Sequence, residues 1–246
     1  MVSKSQIKLI KSLSQKKFRN THELFAVEGI KGIKEFLDSD YELVSIYTTG
    51  VSFNAPEKYI HRIDEQSLKK ISSLKTPQKA LAIFKIPVSR DFKLDNLTMA
   101  LDGVRDPGNL GTIIRLCDWY GVKNLICSND TVDCYNPKVV QATMGSLARV
   151  KIHYTELDKF LKSNRDIPVL GTLLEGDDIY TTKIPDVAII ILGNEANGIS
   201  DEIQQLISQK LNIPQFGELQ ETESLNVATA AAIVLSECRR NSFIEK

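Results

Sequence analysis

The sequence is poor in the residue types that build metal sites and disulfide frameworks. It has three histidines and four cysteines among 246 residues, and no two cysteines form a Cys-x-x-Cys pair. This scarcity argues against a zinc site, and we expect no bound metal. Cysteines scattered in this way are typical of a reducing compartment, which predicts a cytoplasmic protein.

Long apolar runs are also missing. The longest one, Val187 to Leu192, has the length of a strand, whereas a membrane-spanning helix needs about 20 apolar residues. We therefore expect no membrane segment. Hydrophobic residues make up 42% of the chain and charged residues 25%, values that are typical of a folded globular protein and exclude disorder as the main state.

The charge is balanced overall but divided along the chain. Residues 1–95 contain 17 basic and 11 acidic residues, and residues 96–246 contain 14 and 20. A basic half beside an acidic half predicts that the first half meets a polyanion. The first 20 residues, which contain no acid, also resemble a mitochondrial transit peptide, while no secretory signal follows the start.

Hydrophobic periodicity predicts alternating strands and helices in both halves. In the first half we expect helices over 3–19, 29–37 and 67–74 and strands over 25–27, 43–48 and 80–86. A polar stretch that opens with proline, residues 87–96, predicts a linker. In the second half we expect strands over 99–101, 124–127, 169–172 and 188–192 and helices over 110–120, 136–145, 156–163 and 226–239. This alternation predicts a parallel α/β sheet.

Three polar clusters follow predicted strands, where open α/β sheets bind ligands. The first runs from Leu101 to Arg115 and has the sequence Leu-Asp-Gly-Val-Arg-Asp-Pro-Gly-Asn-Leu-Gly-Thr-Ile-Ile-Arg. We expect Asn109 to cap the helix that begins there. Arg115 lies away from the apolar stripe of that helix, and this spacing alone favours a solvated surface arginine over a ligand contact.

The second cluster, residues 191–200, has the sequence Ile-Leu-Gly-Asn-Glu-Ala-Asn-Gly-Ile-Ser. Gly193 allows close approach to the backbone, and Glu195 projects at the strand end. A turn capped by Ser200 explains the same residues without a function. The third cluster combines Ile213-Pro214 with residues 223–232, in which Ser224 or Asn226 is expected to cap the last helix.

The sequence does not match the known motifs of phosphate-binding loops or of hydrolase nucleophiles. Gly103 and Gly108 have the spacing of a P-loop, but Asn-Leu follows them instead of Lys-Ser/Thr, and no Gly-x-Gly-x-x-Gly occurs. Gly145-Ser146 lacks the rest of a nucleophile elbow, and His153 has no marked partner. The sequence therefore predicts neither a dinucleotide site nor a hydrolase triad.

Taken in order, the three clusters resemble the motifs of the SpoU (TrmH) family of RNA 2′-O-ribose methyltransferases. The family's first motif is matched by Asn109, Gly111 and Arg115, the second by residues 192–198, and the third by Ile213-Pro214 and residues 224–228. One departure is Gln215, where a methionine commonly follows Ile-Pro. The basic start followed by Arg19-Asn20 and residues 25–29 resembles the L30e-like substrate-binding domain that often precedes this catalytic domain.

The resemblance implies two domains, an L30e-like RNA-binding domain over 1–90 and a methyltransferase domain over 96–246. The fold class is then α/β, with a C-terminal trefoil knot that binds S-adenosylmethionine. A homodimer is also implied, with the small-residue final helix and the Leu116/Trp119 surface as candidate contacts. No metal is required.

The resemblance also assigns roles to individual residues. Arg115 is expected to contact the ribose 2′-oxygen or the adjacent phosphate, since a guanidinium is a poor base. Asn109 is expected to position Arg115 or the ribose, and Glu195 to hold Arg115 or balance its charge. Ser224 and Asn226 are expected to form hydrogen bonds where cofactor and substrate meet. The expected cofactor residues are Thr172, Leu173, Leu192, Gly193, Gly198, Ile213, Pro214 and Leu225. The expected RNA-binding residues are Lys11, Lys16, Lys17 and Arg19.

The resulting prediction is an RNA ribose 2′-O-methyltransferase, with ribosomal RNA favoured over transfer RNA by the extra N-terminal domain. Three alternatives stay open at this point: a transfer RNA ribose methyltransferase, a methyltransferase that acts on a base, and a non-catalytic RNA-binding or ribosome-assembly protein on the same fold.

Overall fold

A computed structural model describes residues 2–88, 93–217 and 224–244; part of the predicted linker, residues 89–92, lies outside this range. The helices are α1 (Lys4–Ser12), α2 (Lys16–His22), α3 (Ile30–Leu37), α4 (Glu65–Ile71), α5 (Pro107–Trp119), α6 (Pro137–Ala142), α7 (Leu157–Ser163), α8 (Asp201–Gln204) and α9 (Val227–Ile244). The strands are β1 (Leu24–Glu28), β2 (Leu43–Thr48), β3 (Ile60–Arg62), β4 (Ala80–Lys85), β5 (Thr98–Leu101), β6 (Asn124–Ser128), β7 (Lys151–Thr155), β8 (Val169–Asp178), β9 (Ile189–Leu192) and β10 (Gln209–Asn212).

The chain divides into two compact units, and their boundaries differ from the expected domains. Unit 1 contains residues 1–90 and 133–149, and unit 2 contains residues 91–132 and 150–246. The segment 133–149, expected in the C-terminal domain, thus packs with the N-terminal part of the chain.

Unit 1 is built on a four-stranded sheet in the order β1-β4-β2-β3, with its one parallel pair between β2 and β3. Its core contains a cluster of aromatic rings around Phe25. The ring of Phe25 lies 5.4 Å from that of Phe36 and 4.6 Å from that of Tyr135. The hydroxyls of Tyr41 and Tyr135 lie 3.2 Å apart. Since Tyr135 comes from segment 133–149, this segment completes the core of unit 1.

The expected helix over 3–19 is in fact two helices with a break at residues 13–15. The hydroxyls of Ser12 and Ser14 donate to the carbonyls of Leu9 and Lys11, and such side-chain bonds compete with continued helix formation. The break places Leu13, which is buried, in the core.

Arg19, expected to bind RNA, is buried instead, with 2% of its surface exposed. Its Nε donates to Asp133 Oδ2 at 3.0 Å, its Nη2 donates to the same oxygen, and its Nη1 donates to the Leu13 carbonyl at 2.8 Å. A guanidinium in this position is not accessible to RNA phosphates. The expectation for Arg19 is therefore wrong, and the residue holds segment 133–149 to α2.

Unit 2 contains a six-stranded parallel sheet in the order β10-β8-β9-β5-β6-β7. Every residue of β5 and β9 is buried, as is typical of parallel strands covered on both faces. Helices α5 and α9 pack together, and Arg239 Nε donates to the Tyr120 carbonyl at 2.7 Å at the end of α5. The predicted parallel α/β sheet is confirmed.

The sequence prediction missed strands β3, β7 and β10 and the short helix α8. Strand β10, Gln-Lys-Leu-Asn, lies at the sheet edge and buries only Leu211, so it lacks the apolar pattern of a central strand. Across the described residues, no helix combines the length and the apolar character needed to cross a membrane.

The ion pair between Arg19 and Asp133 leads to a stability prediction. Replacing Asp133 by Ala leaves a buried positive charge unpaired, which costs about 3 to 5 kcal/mol. We expect this loss in the free energy of unfolding measured by urea denaturation.

Lys17→Ala serves as the control, because Lys17 is an exposed residue of the same helix and its replacement is expected to change the free energy by less than about 0.5 kcal/mol. If Asp133→Ala is as stable as Lys17→Ala, the structural role of the pair is refuted.

Candidate active site at the carboxyl edge of the parallel sheet

The loops after β5 and β9 lie side by side and are joined by hydrogen bonds. The backbone N–H of Asp102 donates to the Leu192 carbonyl at 2.9 Å. The Asn194 side chain donates to the Gly103 carbonyl at 2.6 Å, and the backbone N–H of Ser200 donates to Asp102 Oδ2 at 2.7 Å. The first two sequence clusters, about 90 residues apart, therefore form one rigid edge.

Gly193 and Gly198 close the loop after β9 into a narrow turn. The backbones of Asn194 and Gly198 form two hydrogen bonds with each other, of 2.8 and 2.9 Å. A Cβ atom on Gly193 would lie 2.1 Å from the Gly198 carbonyl carbon, and Gly198 itself has a φ of +67°. Both positions thus require glycine, because one has no space for a side chain and the other adopts the left-handed region.

Asn109 does not cap helix α5 as expected. The cap is Asp106, whose carboxylate accepts the backbone N–H of Asn109 at 2.8 Å, with Pro107 at the first helical position. The Asn109 side chain is thereby available for other contacts. It donates to Glu195 Oε1 at 3.0 Å and accepts from the Asn226 side chain at 2.9 Å.

Glu195 is held by three N–H donors. Besides Asn109, the backbone N–H groups of Asp106 and Arg105 donate to its two oxygens at 3.2 and 3.3 Å. Burial acts to raise the pKa of Glu195, but the bonds from Asn109 and from these backbone groups outweigh it, so the pKa lies below its usual value. Glu195 is therefore a fixed carboxylate at neutral pH.

Asn226 links the third sequence cluster to the first. Its Oδ1 accepts the backbone N–H groups of Ala228 and Thr229 at 2.9 and 3.2 Å, so it caps α9 as predicted. Ser224, the other expected cap, is exposed and forms no hydrogen bond with any described residue.

Arg115 stands apart from this cluster. It is exposed on α5, six residues after Asn109, which corresponds to about 9 Å along the helix axis. The expected contact with Glu195 is not formed, since the Glu195 oxygens accept from Asn109, Arg105 and Asp106. Among the described residues, Arg115 has no hydrogen-bond or ion-pair partner, so its guanidinium faces solvent.

The expected cofactor residues other than Leu225 lie at or just after the carboxyl ends of three neighbouring strands, β8, β9 and β10. In β8, the register with β10 jumps from Gly171 to Asp177, so residues 172–176 bulge at the sheet edge. Next to this bulge, Thr172 Oγ1 donates to the Ile191 carbonyl at 3.2 Å, and Asn212 donates to the carbonyls of Leu173 and Leu174. Leu192, Gly193 and Gly198 lie at the end of β9, Ile213 and Pro214 follow β10, and Leu225 precedes α9.

The other expected RNA-binding residues are on the surface of unit 1. Lys11 belongs to the last turn of α1, Lys16 and Lys17 begin α2, and all three are exposed.

Sequence reasoning missed a second polar network at the same edge of unit 2. Ser128 Oγ accepts the Gly103 N–H at 2.8 Å and donates to Asp130 Oδ1 at 2.6 Å, and Asp130 pairs with Arg105 at 3.4 Å. Arg105 was a visible signal, because it is the one basic residue among residues 102–108, between β5 and Asn109. Its partners, Ser128 at the end of β6 and Asp130 just after it, had no recognisable sequence pattern.

Comparisons with known proteins agree with this geometry. The model of the SpoU rRNA Methylase family matches residues 96–236, and that of the MRM3-like substrate binding domain matches residues 4–82. The chain therefore belongs to the SpoU rRNA methylase family, which confirms the resemblance, the methyltransferase class and the preceding substrate-binding domain.

Individual relatives span nearly the whole chain. The 23S rRNA (guanosine(2553)-2′-O)-methyltransferase RlmP of Bacillus subtilis is 27% identical over 249 residues, covering 95% of this chain and 96% of RlmP. A structure from Porphyromonas gingivalis assigned to the TrmH family of RNA methyltransferases is 38% identical, with a TM-score of 0.90 over 98% of this chain and 99% of the other. An rRNA methyltransferase from Sinorhizobium meliloti, solved with S-adenosylmethionine bound, is 29% identical, with a TM-score of 0.84 over 98% and 97%.

Proposed function

We propose that this protein transfers a methyl group from S-adenosylmethionine to a ribose 2′-oxygen of ribosomal RNA. The observation that carries the proposal is the convergence of Asn109, Glu195 and Asn226 beside the expected cofactor residues, in a chain of the SpoU family. RlmP, which matches along nearly its whole length, is named for this reaction on 23S rRNA. The S. meliloti relative is an rRNA methyltransferase with the same cofactor bound.

The residues at the sheet edge fit S-adenosylmethionine. The bulge of β8 and the ends of β9 and β10 supply backbone groups, which suit an uncharged adenine. Leu174, Phe216 and Leu225 are large apolar side chains that are exposed in this part of unit 2, and a bound ligand would cover such surface. When bound, the cofactor supplies an electrophilic methyl group on its sulfonium.

The polar cluster orients groups in this proposal, and the proton that the ribose 2′-hydroxyl loses passes to water. Glu195 is occupied by three donors and its pKa is lowered, so it acts as a positioning residue for Asn109. The orientation of Asn109 is fixed from both sides by Glu195 and Asn226, so its amide is preorganised beside the substrate ribose. Arg115, with its guanidinium in solvent, contacts the 2′-oxygen or its phosphate and stabilises developing negative charge.

Exposed lysines of unit 1 bind RNA phosphates in this proposal. Lys11, Lys16 and Lys17 contribute affinity that depends on salt, and they do not select a sequence.

The trefoil knot implied by the family resemblance stays a prediction, because strand order alone does not trace the chain through a loop. A cytoplasmic location is proposed from the ribosomal substrate.

The proposal predicts methylation of ribose by the purified protein. We expect labelled S-adenosylmethionine and unmodified ribosomal RNA to give label in a 2′-O-methyl nucleoside after digestion. Arg115→Ala is expected to lower the rate about 100- to 1000-fold, the usual effect of removing a charge-stabilising group. Arg165→Ala is the control, since Arg165 is exposed just before β8, at the opposite edge of the sheet.

Other outcomes of the same assay contradict the proposal in different ways. Label confined to transfer RNA identifies a transfer RNA methyltransferase, and label in a base identifies a base methyltransferase. No label together with no calorimetric binding of S-adenosylmethionine leaves a non-catalytic RNA-binding protein.

We also propose that the protein is a homodimer. Trp119 is 84% exposed on α5, and a surface tryptophan of this kind is typical of an interface. Sedimentation equilibrium is expected to give about twice the chain mass of 27.5 kDa, and Trp119→Glu is expected to give the monomer. A wild-type monomer at micromolar concentration refutes this part of the proposal.

A further inference from the structure

Arg105 is the one basic residue in the described loops that directly follow β5, β6 and β9. Residues 102–106, 129–132 and 193–200, all of them described, contain the carboxylates of Asp102, Asp106, Asp130 and Glu195 and the guanidinium of Arg105. An RNA chain that enters this acidic edge needs a positive charge beside its phosphates. Within these loops, Arg105 alone supplies one.

The loop that carries Arg105 is fixed on both sides. The backbone N–H of Arg105 donates to Glu195 at 3.3 Å, and the carbonyl of its buried neighbour Val104 accepts the N–H of Val132 at 2.9 Å. Two residues earlier, Gly103 has a φ of +73° and donates to Ser128. Arg105 thus leaves a rigid loop directly before Asp106, which caps α5, the helix that carries Asn109.

Asp130 directs the side chain of Arg105. Ser128 is buried and donates to one oxygen of Asp130 at 2.6 Å, and the other oxygen lies 3.4 Å from Arg105 Nη2. The bond from Ser128 also lowers the pKa of Asp130, so the carboxylate is charged at neutral pH. The ion pair is exposed and long, so it contributes little to folding. The ion pair with Asp130 instead limits the positions that the Arg105 guanidinium can adopt.

Most of the donor capacity of Arg105 is unused within the chain. The guanidinium has five N–H groups, and among the described residues it donates to Asp130 alone. Its side chain is 69% exposed. A planar fork with several unused donors is suited to a phosphate, which it binds through two oxygens.

We infer that Arg105 binds an RNA backbone phosphate next to the ribose that is methylated, and that Asp130 is its positioning residue. This phosphate subsite rests on the proposed function. It is separate from Arg115, because Arg105 lies on the loop that contacts Glu195 and Arg115 lies on the exposed face of α5.

The experiment compares Arg105→Gln with Arg165→Gln, which makes the same charge change at the opposite edge of the sheet. The probe is unmodified ribosomal RNA transcribed in vitro. For Arg105→Gln we expect KM for RNA to rise roughly 10- to 100-fold, the effect of losing a charge-assisted hydrogen bond. The slope of log binding constant against log salt is expected to fall by about 0.7 to 0.9, one phosphate contact. Affinity for S-adenosylmethionine is expected to stay unchanged.

Two further variants separate charge from geometry. Arg105→Lys keeps the charge, so we expect the wild-type salt slope with an intermediate KM. Asp130→Asn keeps Arg105 but no longer directs it, so we expect a smaller rise in KM, again with the wild-type slope. A merely structural role would change the melting temperature of these variants and would not change the salt slope.

The inference is overturned if Arg105→Gln matches Arg165→Gln in KM and salt slope, or if kcat falls while KM and the slope are unchanged. Failure of the proposed function is distinguishable from this, since it is seen as absence of methylation by the wild-type protein. The salt dependence of RNA binding tests Arg105 even in that case.

Discussion

The site depends on one amide, the side chain of Asn109. It donates to Glu195 and accepts from Asn226, so a single side chain joins three segments that are 86 and 117 residues apart in the sequence. An amide can do this because it carries a donor and an acceptor on one planar group. The polarity of each bond is fixed by its partner: Glu195 is an ionised acceptor, and the oxygen of Asn226 is already used to cap α9.

The parallel sheet determines where these segments meet. Parallel strands have all their carboxyl ends at one edge, and the order β10-β8-β9-β5-β6 places the expected cofactor residues and the polar cluster next to each other. The bulge of β8 and the turn at Gly193 shape the backbone on one side. The network of Arg105, Ser128 and Asp130 extends the same edge on the other side.

Much of this edge was predictable from the sequence, because buried parallel strands read as short apolar runs and the polar clusters directly follow them. Contacts decided by tertiary structure were not predictable. The basic N-terminal segment favours RNA binding by Arg19. In the structure, Arg19 instead forms a buried ion pair with Asp133, which lies 114 residues later in the sequence. The sequence predicts Asn109 as the cap of α5, because asparagine is a preferred cap residue, but aspartate has the same preference. The structure assigns the cap to Asp106, which frees Asn109 for the site.

The most direct test of the Asn109 network is the pKa of Glu195, measured by carbon NMR in the wild type and in Asn109→Ala. We expect the wild-type pKa below the usual value for glutamate and a higher one in the variant, since a donor is lost while burial remains. Because the folded pKa is lowered, the stability that ionised Glu195 contributes is present above the unfolded pKa and is lost as the pH falls through the folded one. An equal or lower pKa in Asn109→Ala would contradict the account.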